Sequence, residues 1–277
     1  PKERYFSFKT FNRADVKEVS HLGSAVVTTL DILVQDFIQA RLLEEGYGAF
    51  GMVAEEDTAL TTYFPLLARY QWVIDPLDGT LNFLSGQKKF LEYVHNRFGK
   101  ENFESYYQLR PEYSSIILGL KGRGEHLGDK FLVSGIYFPF TDKFYTAIRR
   151  EGSYKNGVRF SQQKSSDSGL IKTNSHLFRR LRGKSERLVK AEGAGPVLVE
   201  IAEQGEHIYL AKDAGIYDIG PLSLIVTEAG GAVTDMYGDS PCLDDTYTKF
   251  KSFLASSSRE KNLEAVKFLR EELKLNF

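Results

Sequence analysis

The chain has 277 residues, 42% hydrophobic and 26% charged, which is ordinary for a globular protein able to bury a substantial core. Its 36 Lys and Arg balance 37 Asp and Glu, so it lacks the basic excess of a nucleic-acid-binding surface. Cys242 is the only cysteine, which excludes a disulfide within this sequence and a Cys-based zinc cluster.

No apolar run is long enough to span a bilayer, and Pro1-Lys2-Glu3-Arg4 leads into no apolar segment. A trimmed cytoplasmic protein is expected, partnered by neither a membrane nor a nucleic acid polymer. In chain order, Ala25 to Thr29 is small and β-branched and reads as a strand or extended entry. From Asp31 to Glu45, Val34, Phe37, Ile38 and Leu42 recur at helical spacing, and Gly46 is the stop. Phe50 to Val53 leads into Glu55-Glu56-Asp57. Tyr70 to Ile74 reads as a buried strand that ends at Asp75-Pro76, because a proline cannot continue a ladder.

Gln87 to Glu112 mixes charge with aromatics without a clean period, and reads as an excursion packed on the body of the domain. Strands are predicted at Ser114–Leu120, Phe131–Phe138 and Lys143–Ile148, followed by a tight hairpin turn at Asn156-Gly157. Polar and basic residues from Ser161 to Lys184 mark a passage into a second half, giving units 1–160 and 161–277. In that second half, Val197–Ala202, Asp218–Ala229 and Asn262–Leu273 read as helices. His207–Leu210, Ala232–Thr234 and Ser252–Ala255 read as strands. The sum is a mixed α/β protein.

Three acidic sites stand out: Glu55, the run Asp75-Pro76-Leu77-Asp78-Gly79-Thr80, and Asp218. The last is expected at or near an N-cap, with Pro221 in the first helical turn. Singly these are a solvated loop, a turn and a cap. Together, two carboxylates three residues apart on a proline-stiffened turn can face one hard cation. Gly79 lets backbone approach a phosphate, a helix starting at Thr80 would favour the same anion, and the Thr80 hydroxyl can orient a water. This is the equipment of metal-assisted phosphate-ester hydrolysis. His21, His95, His126, His176 and His207 are scattered and lack zinc-ligand spacing.

Trp72-Val73-Ile74-Asp75-Pro76-Leu77-Asp78-Gly79-Thr80-Leu81-Asn82-Phe83 resembles the principal motif of the inositol monophosphatase superfamily. Tyr217-Asp218-Ile219-Gly220 and Ile225-Val226-Thr227-Glu228-Ala229-Gly230-Gly231 resemble its second motif. Val27 to Asp31, Glu55-Glu56 and Glu151 to Gly157 match in the same order. The resemblance implies an α+β fold, a layered α/β/α/β/α sandwich of the sugar-phosphatase type. It implies two or three Mg²⁺ ions held by Glu55, Asp75, the Leu77 carbonyl, Asp78 and Asp218, with Glu55, Thr80 and Asp31 handling the attacking water. Asp78, Gly79, Thr80, Gly193, Ala194 and Asp218 would meet a small phosphorylated substrate. A lithium-sensitive homodimer is implied as well.

Departures matter too. The Glu that contacts the sugar ring in inositol monophosphatases, seven residues before the last metal-binding Asp, is Ala211 here. Gly193-Ala194-Gly195-Pro196 carries no polar side chain where the family makes substrate contacts. Rival expectations are a 3'(2'),5'-bisphosphate nucleotidase, with Lys212 or Arg179, Arg180 and Arg182 meeting the second phosphate, and histidinol-phosphate or fructose-bisphosphate phosphatases. A non-catalytic sugar-phosphate-binding protein is a rival of another class.

Overall fold

A computed structural model describes residues 16–17, 27–65, 68–86, 110–123, 130–163, 168–191, 193–242 and 248–274. Short strands β1 (Val16–Lys17) and β2 (Val27–Thr28) pair and lead into helix α1 (Thr29–Glu44). Next come β3 (Gly51–Ala54), β4 (Tyr70–Asp78) and the single-turn helix α2 (Thr80–Ser85). Strands β5 (Ser115–Gly122), β6 (Phe131–Phe138), β7 (Lys143–Ile148), β8 (Gly152–Lys155) and β9 (Val158–Phe160) complete a seven-stranded sheet in sequential order. The hairpin turn between β8 and β9 forms as expected, with positive φ at Asn156 and Gly157.

The remaining elements are β10 (Ile171–Thr173), α3 (Ser175–Leu181), β11 (Leu188–Lys190), α4 (Ala194–Gln204), β12 (Ile208–Gly215), α5 (Ile216–Glu228), β13 (Ala232–Thr234), β14 (Lys249–Ser256) and α6 (Arg259–Glu271). Their strands form a second sheet, ordered β11-β10-β12-β14-β13. Three apolar cores separate the layers. Leu42, Met52, Phe64 and Ile74 join α1 to the outer face of the first sheet. Ile117, Ile136, Val197, Leu222 and Ile225 fill the space around α4 and α5, between the two sheets. Leu177, Leu210, Val266 and Leu269 seal α3 and α6 onto the outer face of the second sheet. The order is α/β/α/β/α, the expected layered α+β sandwich. Truncating a fully buried Leu or Ile in any of these cores to Ala costs about 2–5 kcal/mol.

Helix α5 is the hinge pin of this arrangement. Ser134 Oγ donates to Pro221 O (2.7 Å) and Ser153 Oγ to Ile225 O (2.8 Å), while Glu228 accepts from the backbone N–H of Arg150 and Gly152. The Glu151–Gly157 and Thr227–Gly231 motifs thus serve each other: one strand-turn-strand segment holds the end of one helix. A side chain at position 119 would come within 2.8 Å of the Pro221 ring, so Gly119 sets how closely α5 approaches the first sheet.

Several sequence expectations are corrected. Strand β4 does not stop at Asp75-Pro76 but runs on to Asp78. β3 pairs only as far as Ile74, and the β4–β5 register shifts between Asp75 and Asp78, so Pro76 sits where its missing N–H breaks no regular ladder. The buried face of α1 is Asp31, Gln35, Gln39 and Leu42, whereas Phe37 is 59% exposed. Val34 and Ile38 are only half-buried. The stretch read as passage from Ser161 to Lys184 contains β10 and α3, the latter capped by Asn174, whose side chain accepts from Leu177 N. Residues 87–109 of the predicted excursion lie outside the described residues. Among the described residues no helix is long and apolar enough to cross a membrane.

Candidate metal centre

The carboxylates gather where β3, β4 and α5 end or begin beside one another. β3 pairs with β4, and the ladder extends one step further through Glu55 N–H to Ile74 O (3.1 Å). From α1, the Gln35 amide clamps the next residue: its Nε2 donates to Glu56 O (2.6 Å) and its Oε1 accepts from Glu56 N (3.1 Å). Gln39 does the same for the turn beyond, bonding Thr58 and Thr61. A buried polar stripe on α1 therefore fixes the chain that presents Glu55.

Asp75 stands at the register shift of β4, and its Oδ1 accepts from Leu77 N (3.0 Å). Asp218 occupies the third position of α5, not its cap. Its Oδ2 accepts from the N–H of Gly215, the actual N-cap residue, at 3.0 Å. Pro221 consequently falls in the second turn. Carboxylate oxygens of Glu55, Asp75 and Asp218 lie within 4.8 Å of one another, so these three could hold a metal ion.

Asp78 is turned differently. Its Oδ2 accepts from Gly195 N (2.8 Å) and Ser115 Oγ (3.1 Å), and its Oδ1 from Ala194 N (3.3 Å). The first turn of α4 thus presents its unpaired N–H groups to this acid. A Cβ at position 195 would come within 2.6 Å of Asp78 Oδ2 and 2.5 Å of Ser115 Oγ, so only glycine fits. Gly193 lies against the same carboxylate. Thr80 Oγ lies 3.1 Å from Leu77 O and 3.2 Å from Asp31 Oδ1, both acceptors for its one proton. Gly79 precedes it with φ 79°, the left-handed conformation that glycine adopts at little cost. Asp31, Glu55, Asp75, Leu77, Asp78, Gly79, Thr80, Gly193, Ala194 and Asp218 are joined through these contacts, whereas Arg179 and Arg180 stand on α3 and Lys212 lies beside Leu177, on the outer face of the second sheet. Ser115, Gly195, Gly215 and the Gln35 clamp were missed. The run of small residues before Pro196 was the available signal for Gly195, since it marks a helix start.

Electrostatically the cluster is uncompensated. Burial pushes the Glu55 carboxyl up to about 7, helped by the charges of Glu56, Asp31 and Asp78 and opposed by a hydrogen bond with Asp75. Asp75 is raised well above the usual carboxylate range by burial and then by Glu55, Asp78 and Asp218. Asp218 is raised likewise, mainly by burial and by Glu55 and Asp78; the Gly215 N–H and Lys249 pull the other way. Asp78 is raised by burial, against the pull of Gly195, Ser115 and Ala194. A hydrogen bond between the Glu55 and Asp75 carboxyls requires that one of them keep a proton. An all-oxygen donor set that must retain protons in the absence of a counter-charge fits a hard divalent cation.

Comparison with known proteins identifies the family. A family model described as the inositol monophosphatase family matches residues 3–273. The Nus factor SuhB of Pseudomonas aeruginosa is 27% identical over 86% of this chain and 82% of its own length. Inositol monophosphatase 1 of Solanum lycopersicum is 25% identical over 81% and 77%. A staphylococcal inositol monophosphatase-1, solved as a lithium-chloride-soaked inhibitory complex, shares the fold with a TM-score of 0.64, at 20% identity, over 92% of this chain and 85% of that one.

Proposed function

The chain belongs to the inositol monophosphatase family, and from that premise we propose that it hydrolyses a small phosphate monoester with the help of Mg²⁺. The observation that carries this reading is the meeting of Glu55, Asp75 and Asp218 oxygens within 4.8 Å. These three, with Asp78 and the Leu77 carbonyl, would hold two or three cations. Bound there, the cations supply Lewis-acid polarisation of the phosphoryl oxygens and make a neighbouring water easier to deprotonate.

The chain's own groups supply the rest. Glu55 takes the proton of the attacking water. Thr80 orients that water through the hydroxyl it now points at Asp31 and Leu77 O. The backbone at Gly79 and Thr80 faces the phosphate. The Ala194 N–H, now on Asp78, lies beside the place where the rest of the substrate sits, next to Gly193. Ala211 is fully buried and offers no acceptor to a ring hydroxyl. The reading therefore favours a sugar phosphate or bisphosphate over inositol phosphate itself.

Lithium inhibition belongs to the proposal, supported by the staphylococcal relative's inhibitory complex. A cytoplasmic homodimer is the setting that the family resemblance implies, and light scattering on the purified protein tests the dimer. The decisive experiment is phosphate release with Mg²⁺ from inositol 1-phosphate, adenosine 3',5'-bisphosphate, fructose 1,6-bisphosphate and histidinol phosphate. Release that stops in chelator and falls in lithium is expected. No release from folded, metal-loaded protein would point first to a substrate outside this panel and second to a non-catalytic sugar-phosphate binder.

A further inference from the structure

Strand β12 turns Tyr209 and Ala211 to the core between the sheets and Leu210 to the opposite core. Ala211 brings only a methyl group, so the polar side-chain atom of this pair is the Tyr209 hydroxyl. The Tyr209 ring stands edge to face against Phe253, with centroids 6.3 Å apart. Phe253 lies opposite Ala211 in the β12–β14 ladder, so sheet register fixes where the ring sits. Tyr209 as a whole is 2% exposed.

A phenylalanine would fill this place equally well. The tyrosine adds one oxygen, and a buried hydroxyl is costly unless it meets a partner. Among the described residues no group hydrogen-bonds the Tyr209 hydroxyl. The sealed side-chain atoms without a partner among those residues are Asp36 Oδ1, Trp72 Nε1, Thr173 Oγ1 and Asn262 Oδ1. The Tyr209 oxygen is not one of them, so the small exposed part of this buried residue includes its polar tip.

Two acids of the metal centre act on that tip. Burial raises the phenol well above its ordinary value, and the charges of Asp218 and then Asp78 raise it further. The hydroxyl therefore keeps its proton. Asp78 takes its hydrogen bonds from Gly195, Ser115 and Ala194, and Asp218 takes one from Gly215; neither takes one from Tyr209. A protonated hydroxyl at the edge of an accessible space, in the field of both acids, is a donor whose acceptor the chain does not supply.

We propose that Tyr209 is a specificity-determining residue whose hydroxyl donates to an oxygen on the organic part of the substrate, an inference that rests on the function proposed above. The direction of this bond sorts substrates. Where the family resemblance expects a carboxylate that accepts from a ring hydroxyl, at position 211, this chain offers a neutral donor two residues earlier. A sugar bisphosphate carries a second acid group to receive the bond. Inositol 1-phosphate has hydroxyls that would find no carboxylate here.

Tyr209→Phe tests this, because it removes the oxygen alone. With fructose 1,6-bisphosphate and Mg²⁺, KM should rise about tenfold while kcat changes by less than about twofold. The melting midpoint should not fall, since no bond within the chain is lost. With inositol 1-phosphate, KM should change by less than about threefold. Should the parent release no phosphate, the function proposed above fails, and equilibrium dialysis of the two esters with Mg²⁺ reads the same contrast as affinities. An unchanged KM or affinity for the bisphosphate in folded Tyr209→Phe overturns the inference and leaves the hydroxyl holding only water. A fall in kcat at unchanged KM overturns it as well, by placing the group behind the metal centre and not on the substrate. Equal changes for the two esters overturn the preference for a second acid group, and no binding of either ester overturns both readings.

Discussion

Helix α4 touches two groups of partly buried ionisable side chains, one at each end, and they are built on opposite plans. At its C-terminal end Glu203 accepts from Tyr145 Oη (3.0 Å) and Lys155 Nζ (2.6 Å), and Lys155 lies 5.3 Å from the Tyr145 ring centroid. Burial pushes the Tyr145 phenol up to about 12, and Lys155 is raised above its ordinary value by its bond to Glu203. Every charge in that group has its counter-charge inside the chain. At the N-terminal end Asp78 has N–H and hydroxyl donors, but the neighbouring Glu55, Asp75 and Asp218 have mainly one another. What opposes them is slight: Lys249 and the Gly215 N–H at Asp218, the Leu77 N–H at Asp75, and the bond with Asp75 at Glu55. A closed ionic group of the first kind holds layers together. An open one of the second kind is completed from outside, which is why the chemistry is assigned there.

The sharpest way to break the comparison is Asp75→Asn. It should lower phosphate release by roughly 10³-fold, because a metal-facing carboxylate is lost at constant volume. In chelator the same variant should be more stable than the parent, since it removes a buried like charge. Equal activity in the two proteins would remove the open cluster from the mechanism.

A pH series sharpens the contrast next. Glu55 moves from 4.5 in the unfolded chain to about 7 in the folded one, so between those values the folded protein holds a proton that the unfolded one has released. Metal-free stability should therefore be full below about pH 4.5 with respect to this group. It should decline as pH rises through 7, by about 3 kcal/mol. Asp75 and Asp218 act in the same direction. Saturating Mg²⁺ should flatten the decline. Denaturant titrations at several pH values check this, and stability that climbs over the interval in chelator would contradict the sign.

Gly195→Ala probes the end of α4 that bears Asp78. It places a methyl group against Asp78 and Ser115, and should cost about 1–3 kcal/mol by overpacking while cutting turnover more than tenfold. The smallest effect is expected from Glu203→Gln. It should lower stability by about 1 kcal/mol, given the partial exposure of the Lys155–Glu203 pair, and leave the Mg²⁺ dependence of turnover untouched. A shifted Mg²⁺ requirement in Glu203→Gln would show that the two groups are not separate after all.

The acids themselves were legible because their spacing is local: Asp75, Asp78, Gly79 and Thr80 sit in one short run, and Asp218 sits beside a recognisable helix. What surrounds them was hidden, because it depends on partners far away in sequence. The spacing of Val34, Phe37, Ile38 and Leu42 located α1 correctly, and Leu42 and Ile38 do meet the core, but it misplaced Phe37 and gave no hint of Gln35 and Gln39, whose burial depends on Glu56, Thr58 and Thr61. Pro76 reads as a strand terminator until one knows that β3 has already stopped. Helix α3 was read as passage because its arginines look like loop, although Asn174 was there as a capping signal. Ser115 had no signal at all; an unremarkable serine at the start of a strand becomes a donor to Asp78 only through sheet register.

The bond from Gly195 N to Asp78 spans 117 residues of chain. At roughly 5–20 residues per second of synthesis, on the order of ten seconds separate the translation of this acid from that of its helical donors. During that interval β4 can pair with β3, but the segment bearing Asp78 waits with its carboxylates unclamped, and Asp218 comes later still. Contacts so distant along the chain form slowly even once they are all available. The centre is therefore a late event in the life of each molecule. A nascent chain carries its first acids before it carries the cluster, and the gathering of Glu55, Asp75 and Asp218 marks completion of the fold.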